Sequence, residues 1–152
     1  MIHAFKYRFV QNFDQHLGNI LLKAVEQSAL PLPTHIIPVP LHKKRLRFRG
    51  FNQSALLADY LVQNLPGFAH HDDSSQLERT LFTKPQQKTA DKKERIQNLK
   101  KAFQIQVGSN FQDAVIWLID DVATSNATLS ECAKVLKQAG AKKVYGVVVA
   151  KD

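Results

Sequence analysis

Cysteine is nearly missing from this sequence: Cys132 is the only one. An internal disulfide and a cysteine-cluster zinc site are therefore both excluded, and a reducing cytoplasm is the expected setting. Long hydrophobic runs are missing too, since none approaches the ~20 residues that a membrane-spanning helix requires. The opening "MIHAFKYRFV" alternates polar and apolar side chains, unlike a secretory signal. The six histidines are scattered. Their one dense group, His70-His71-Asp72-Asp73, reads as an exposed polar turn rather than a metal site. No nucleophile–base arrangement stands out, and Cys132 falls on an apolar helical face, as a core thiol does.

Acids are also in short supply. Against 21 Lys and Arg there are 13 Asp and Glu, a formal net charge of +8. Such a surplus favours an anionic partner: nucleic acid, a phosphorylated metabolite or acidic lipid. The basic residues cluster, at "KKRLRFR" (Lys43 to Arg49) and again from Lys92 to Lys101.

The 152 residues suit a single domain. Phe13, Leu17, Ile20, Leu21, Ala24 and Val25 recur at helical spacing, and Pro31 and Pro33 close that segment. "HIIPVP" reads as a short buried strand, and the basic "LHKKRLRFRG" after it as a loop closed by Gly50. "NQSALLADYLVQNL" predicts a helix with Leu56, Leu57, Tyr60, Leu61 and Leu65 on one side, ended by Pro66-Gly67. "LERTLF" and "FQIQV" are weaker strands. Between them, "TKPQQKTADKKERIQNLKKAF" suggests a mobile loop and then a charged helix. "AVIWLID" is the strongest strand, a continuous apolar run of the kind buried on both faces. The next helix turns Leu129, Cys132, Ala133, Leu136 and Ala139 inward, with Thr128 and Glu131 spaced as a capping box and Gly140 as the C-terminal cap. "KKVYGVVVA" is the last strand. Strands alternating with helices predict an α/β fold, a mostly parallel sheet flanked by helices.

One stretch carries chemistry. Asp120 and Asp121 end the strongest strand, and Thr124, Ser125, Asn126, Ala127 and Thr128 lead into the next helix. Ligands of parallel α/β sheets gather at the carboxyl ends of the strands. Main-chain amides at a helix N-terminus favour an anion. Carboxylates and a phosphate repel, so the two groups suit opposite ends of one molecule: acids for sugar hydroxyls, loop for the 5′-phosphate. The plainer alternative is that both acids merely end a strand and cap a helix.

"LIDDVATSNATL" resembles the ribose-phosphate signature of type I phosphoribosyltransferases. Four blocks in order, "HIIPVPLHKKRLRFRGFNQSALLA", "KPQQKTADKKERIQNLKKAF", "VIWLIDDVATSNATL" and "LKQAGAKKVYGVVVAKD", resemble the ComF/GntX group, which is linked to DNA uptake in naturally competent bacteria. The resemblance implies the type I phosphoribosyltransferase fold, a site for phosphoribosyl pyrophosphate with Mg²⁺, and pentosyl transfer to an acceptor. It implies that Asp120 and Asp121 bind ribose, that Thr124 to Thr128 bind the 5′-phosphate, and that Val39, Pro40 and Leu41 form the pyrophosphate loop. Mg²⁺ would be held through the ligand. Arg49, Gly50, Phe51, Asn52 and Gln53 match the group's Arg-Gly-Phe-Asn-Gln motif. Gln87, Lys88, Arg95 and Asn98 fall in the block resembling the mobile loop and its following helix. Ser125 and Asn126 stand where the family has threonine and glycine, and the cysteine-rich zinc-binding segment that opens many members is not among these residues.

Two other readings compete. Lys43, Lys44, Arg45, Arg47 and Arg49 could bind the pyrophosphate end of the sugar donor or equally follow a nucleic-acid backbone, with Phe48 and Phe51 stacking on single-stranded bases. The chain would then be a non-catalytic module that binds DNA or another competence protein. A phospho-acceptor receiver also gathers acids at strand ends, but its pair lies near the first strand. Here the pair comes late and is followed directly by the hydroxyl loop.

Overall fold

The computed structural model describes residues 15–68, 76–81, 102–123 and 126–151. Helix α1 (15–26) is followed by strand β1 (His35–Pro38), helix α2 (Lys43–Arg49) and helix α3 (Gln53–Asn64). Strands β2 (Leu77–Arg79), β3 (Phe103–Ile105) and β4 (Val115–Ala123), helix α4 (Ala127–Gln138) and strand β5 (Lys143–Lys151) complete the order. The N-terminal residues before 15, the His70–Asp73 group and nearly all of the segment expected to form a mobile loop and charged helix lie outside the described residues.

Strand β4 is central because its sequence suits no other place. Ile116 and Leu118 pack with Ile37, Cys132 and Leu136 on one face, and Trp117 and Ile119 pack with Ile36, Leu57 and Leu61 on the other. Alternate side chains of one strand thus feed two cores, and only a strand covered on both faces can bury them all. β4 pairs in parallel with β1, His35 opposite Ile116 and Pro38 opposite Ile119. It pairs in parallel with β5, Val115 opposite Lys143 and Ala123 opposite Lys151. Helices α1 and α3 cover one face through Leu21, Val25, Leu57 and Leu61. Helix α4 and the antiparallel β2–β3 pair cover the other through Cys132, Leu136, Leu77 and Phe103.

The expected strands all form, and so does the parallel sheet. Two expectations are corrected. The basic segment is a helix, not a loop. Its residues are good helix formers, and its ends are closed locally. The His42 side chain accepts from the Lys44 N–H at 3.1 Å. Gly50, at φ 86°, donates its N–H to the Leu46 carbonyl at 2.7 Å. Arg47 and Arg49 in the last turn suit the negative end of the helix dipole. The second correction concerns α4, which starts at Ala127 with Asn126 as N-cap. Thr128 already lies inside the helix, so it forms no capping box with Glu131, which pairs with Lys134 instead. At the other end Gly140 takes φ 102°, as its place just beyond the helix requires. No described helix is long and apolar enough to cross a membrane.

Candidate functional site

Because β1, β4 and β5 run parallel, their carboxyl ends share one edge. The N–H of Val39 donates to the Ile119 carbonyl at 2.8 Å, which carries the ladder one residue past β1 and fixes where the Val39–Leu41 loop departs. Asp120 and Asp121 stand beside it within β4, which runs on to Ala123 still paired with β5, so the acids expected to end the strand lie just inside its end. The edge therefore brings together the residues expected for ribose and those expected for pyrophosphate. Of the expected phosphate loop, Asn126, Ala127 and Thr128 are placed at the start of α4. Thr124 and Ser125 lie outside the described residues, as do Gln87, Lys88, Arg95 and Asn98.

Asp120 is half-buried, and its Oδ1 accepts from the Ser54 hydroxyl at 2.9 Å and from the Asp121 N–H at 3.0 Å. Desolvation raises its pKa to about 6; the neighbouring Asp121 charge adds to the rise and the Ser54 hydrogen bond opposes it. Asp121 accepts from the Val122 N–H at 2.9 Å. Neither carboxylate forms an ion pair among the described residues. Both therefore remain acceptors at the open edge, suited to hydroxyl donors. The described residues assemble no group of three or more His, Cys, Asp or Glu side chains that could hold a metal ion. Mg²⁺, which keeps oxygen ligands and favours phosphates, fits here only with a phosphorylated ligand supplying most of its shell.

Asn126 adopts φ −58° and ψ 4°, a right-handed backbone. The positive φ for which glycine is favoured is not used at this position, so asparagine is accommodated without strain. Its exposed side chain makes no capping bond. It borders a cleft of about 400 Å³ with Ala123, Ser130, Gly146 and Val148.

The Arg-Gly-Phe-Asn-Gln motif has a structural logic. Arg49 Nη1 donates to Gln53 Oε1 at 3.2 Å, Gly50 ends α2, and Phe51 is half-buried. Asn52 caps α3: its Oδ1 accepts from the Ser54 N–H at 3.2 Å, while its Nδ2 donates to the Val39 carbonyl at 3.0 Å. Lys43, Lys44, Arg47 and Arg49 lie exposed on α2, and Arg45 is half-buried. Two residues were not foreseen from the sequence. Ser54 is one; its signal was a lone hydroxyl on the face of α3 that buries Leu57 and Leu61. Arg79 is the other. It lines a second cleft, about 380 Å³, with Pro40, Leu41, Lys43 and Asn52. Its guanidinium stands 5.4 Å from the Phe103 ring centre, and burial, then nearby Arg45, hold its pKa below the usual arginine range.

Compared with known proteins, the chain matches no family model. It is 34% identical to competence protein F of Haemophilus influenzae, over 95% of this chain and 63% of that protein. The same shares and the same identity relate it to the DNA utilization protein YhgH of Escherichia coli. The purine phosphoribosyltransferase of Pyrococcus horikoshii superimposes with a TM-score of 0.54 at 16% identity, covering 90% of this chain and 70% of that one. The chain is a homologue of competence protein F and the YhgH proteins, built on the type I phosphoribosyltransferase fold. It spans 63% of the length of these curated relatives. The acids near the end of β4 and the start of α4 thus lie on a scaffold of the phosphoribosyltransferase fold.

The raised Asp120 pKa has a consequence for stability. An acid whose folded value, about 6, exceeds its ordinary 3.8 binds more protons folded than unfolded between those values. Its ionisation therefore subtracts stability as pH rises through that window, fully so above it, and subtracts nothing below 3.8. Asp120→Asn is expected to raise the urea midpoint near pH 8, with the gain vanishing near pH 3. Equal gains at both pH values, or a loss near pH 8, would contradict this origin.

Proposed function

We propose that the chain binds phosphoribosyl pyrophosphate with Mg²⁺ at the carboxyl edge of its parallel sheet and transfers the ribose phosphate to an acceptor. The observation that carries the reading is the placing of Asp120 and Asp121 among the last residues of the central strand, shortly ahead of the α4 N-terminus. The fold and the homology support it. In this reading Asp120 and Asp121 accept hydrogen bonds from the ribose hydroxyls. The amides and hydroxyls of residues 124–128 take the 5′-phosphate. The Val39–Leu41 loop lies at the pyrophosphate end, with Arg79 and Lys43 on the adjoining cleft wall. Mg²⁺ supplies charge neutralisation for the departing pyrophosphate. As the bond from C1 to pyrophosphate breaks, positive charge develops on the sugar and the acceptor bonds to C1. Positioning and charge, rather than a protein nucleophile, serve such a step. Gln87, Lys88, Arg95 and Asn98 keep their assignment to the mobile loop on resemblance alone.

A second reading concerns the exposed face of α2, which meets the first site at Lys43. Phe48 is 92% exposed and stands between Arg47 and Arg49 on a helix without an acidic residue. An exposed ring amid guanidinium groups is the chemistry that holds single-stranded nucleic acid, by stacking and by phosphate contacts. The names of the relatives, a competence protein and DNA utilization proteins, point the same way. DNA, and through it the partners of DNA uptake, is the proposed setting of this face.

Titration calorimetry with phosphoribosyl pyrophosphate and Mg²⁺ is expected to give binding that the Asp120→Ala/Asp121→Ala variant weakens by roughly tenfold or more. Absent heat for the wild type, or equal affinity for the variant, refutes the site. For α2, fluorescence anisotropy with an oligothymidine should show affinity falling steeply with salt. Phe48→Ala is expected to lower it roughly tenfold. Affinity indifferent to salt, or to neutralising Lys43, Lys44, Arg45 and Arg47, refutes the nucleic-acid face.

A further inference from the structure

Ser54 is the one buried polar side chain among the described residues, at 4% exposure. It lies in the first turn of α3, immediately after the Arg49–Gln53 motif, whose chemistry the proposed function leaves unassigned. Three hydrogen bonds converge on this turn. Asn52 donates to the Val39 carbonyl, Ser54 donates its N–H to Asn52, and Ser54 donates its hydroxyl to Asp120. The turn therefore holds the loop at the pyrophosphate end with one side chain and the acid at the ribose end with another. Both hydrogen bonds to the Asp120 carboxylate fall on Oδ1, which leaves Oδ2 as the acceptor for a ligand.

We propose that Ser54 is a positioning residue for the ribose site: its hydroxyl orients the Asp120 carboxylate, keeps it anionic and leaves Oδ2 for the sugar hydroxyls. This rests on the phosphoribosyl pyrophosphate reading and deepens it by giving the Asn52–Ser54 turn a task. The physics is local. A desolvated carboxyl prefers the neutral form, which accepts hydroxyl donors poorly, and a hydroxyl donor favours the anion. The other donor among the described residues is the Asp121 main-chain N–H, which also favours the anion. Asp121 on the same strand repels the charge. Cys132, from α4, is kept a neutral thiol by burial and then by the Asp120 charge, with Arg79, from β2, acting on it in the opposite sense and Glu131, from α4, in the same sense as Asp120. Pro38 ends β1 and Val148 stands opposite on β5, both uncharged. Helix α3 contributes Ser54.

The test is the affinity for phosphoribosyl pyrophosphate with Mg²⁺ of the wild type and Ser54→Ala, measured from about pH 5 to about pH 8.5. Removing the donor should move the Asp120 midpoint up by about one unit. The affinity ratio of the two proteins is then about tenfold near pH 5 and falls toward one near pH 8.5; the ligand's own titration cancels in the ratio. On an Asp120→Asn background, Ser54→Ala should have no further effect. A ratio that stays constant across pH, or an undiminished effect on that background, overturns the proposal and assigns Ser54 to packing alone. Carbon-detected NMR titration of the Asp120 carboxyl in the ligand-free protein separates the two levels. A midpoint that Ser54→Ala leaves in place overturns the Ser54 role even where the wild type binds. A wild type that binds at no pH overturns the site reading and, with it, the purpose given to Ser54, whatever the carboxyl does.

Discussion

Parallel pairing of β1, β4 and β5 is the constraint on which everything else here depends. Parallel strands cannot be joined by tight turns, so each must be followed by a crossover that covers a face of the sheet. α3 lies in the crossover from β1 to β4, and α4 forms the one from β4 to β5. The same geometry delivers every strand's carboxyl end to one edge. The end of β1 at Val39 and the last residues of β4, Asp120 and Asp121 among them, thus become neighbours although they are far apart in the chain. A ligand with a sugar in the middle and anions at both ends has the proportions such an edge can serve.

The edge is also where the molecule gives up stability. The apolar register of β4 continues to Ile119, and the next residue is an aspartate held half out of water. Its neutral form is favoured by the fold, while its anionic form suits sugar hydroxyls. Functional sites commonly carry such a conflict, because the group that binds is not the group that packs best. The Ser54 hydroxyl moderates the conflict. It supplies a hydrogen bond to the charged form from a helix whose remaining inward residues, Leu57, Ala58 and Leu61, are apolar.

How much of this could be read from the chain follows from the range of each interaction. β4 was legible because burial on both faces leaves an unbroken apolar run, and α3 because Leu57, Leu61 and Leu65 repeat at helical spacing. The acid pair and the start of α4 were legible because they adjoin in sequence. α2 was not: none of its residues is buried, so it has no apolar period, and what makes it a helix is a histidine cap before it and a glycine after it. The α4 start was misplaced by a short step, since Asn126 and Thr128 are both plausible caps and only the backbone decides between them. Ser54 was not legible because its partner, Asp120, lies 66 residues away. Arg79 was missed for a related reason. The β2–β3 pairing that sets it beside Phe103 spans a long connection.

The central claim is that the carboxyl end of β4 grips a pentose through its aspartates while the start of α4 grips a phosphate. A crystal structure of the chain soaked with phosphoribosyl pyrophosphate and Mg²⁺ measures this most directly. The account predicts the ribose hydroxyls on Asp120 and Asp121, with Oδ2 of Asp120 engaged, and the 5′-phosphate at the main-chain amides of residues 124–128. A ligand bound elsewhere, or an Asn126 side chain standing where the phosphate belongs while both aspartates stay occupied by the protein, would contradict it.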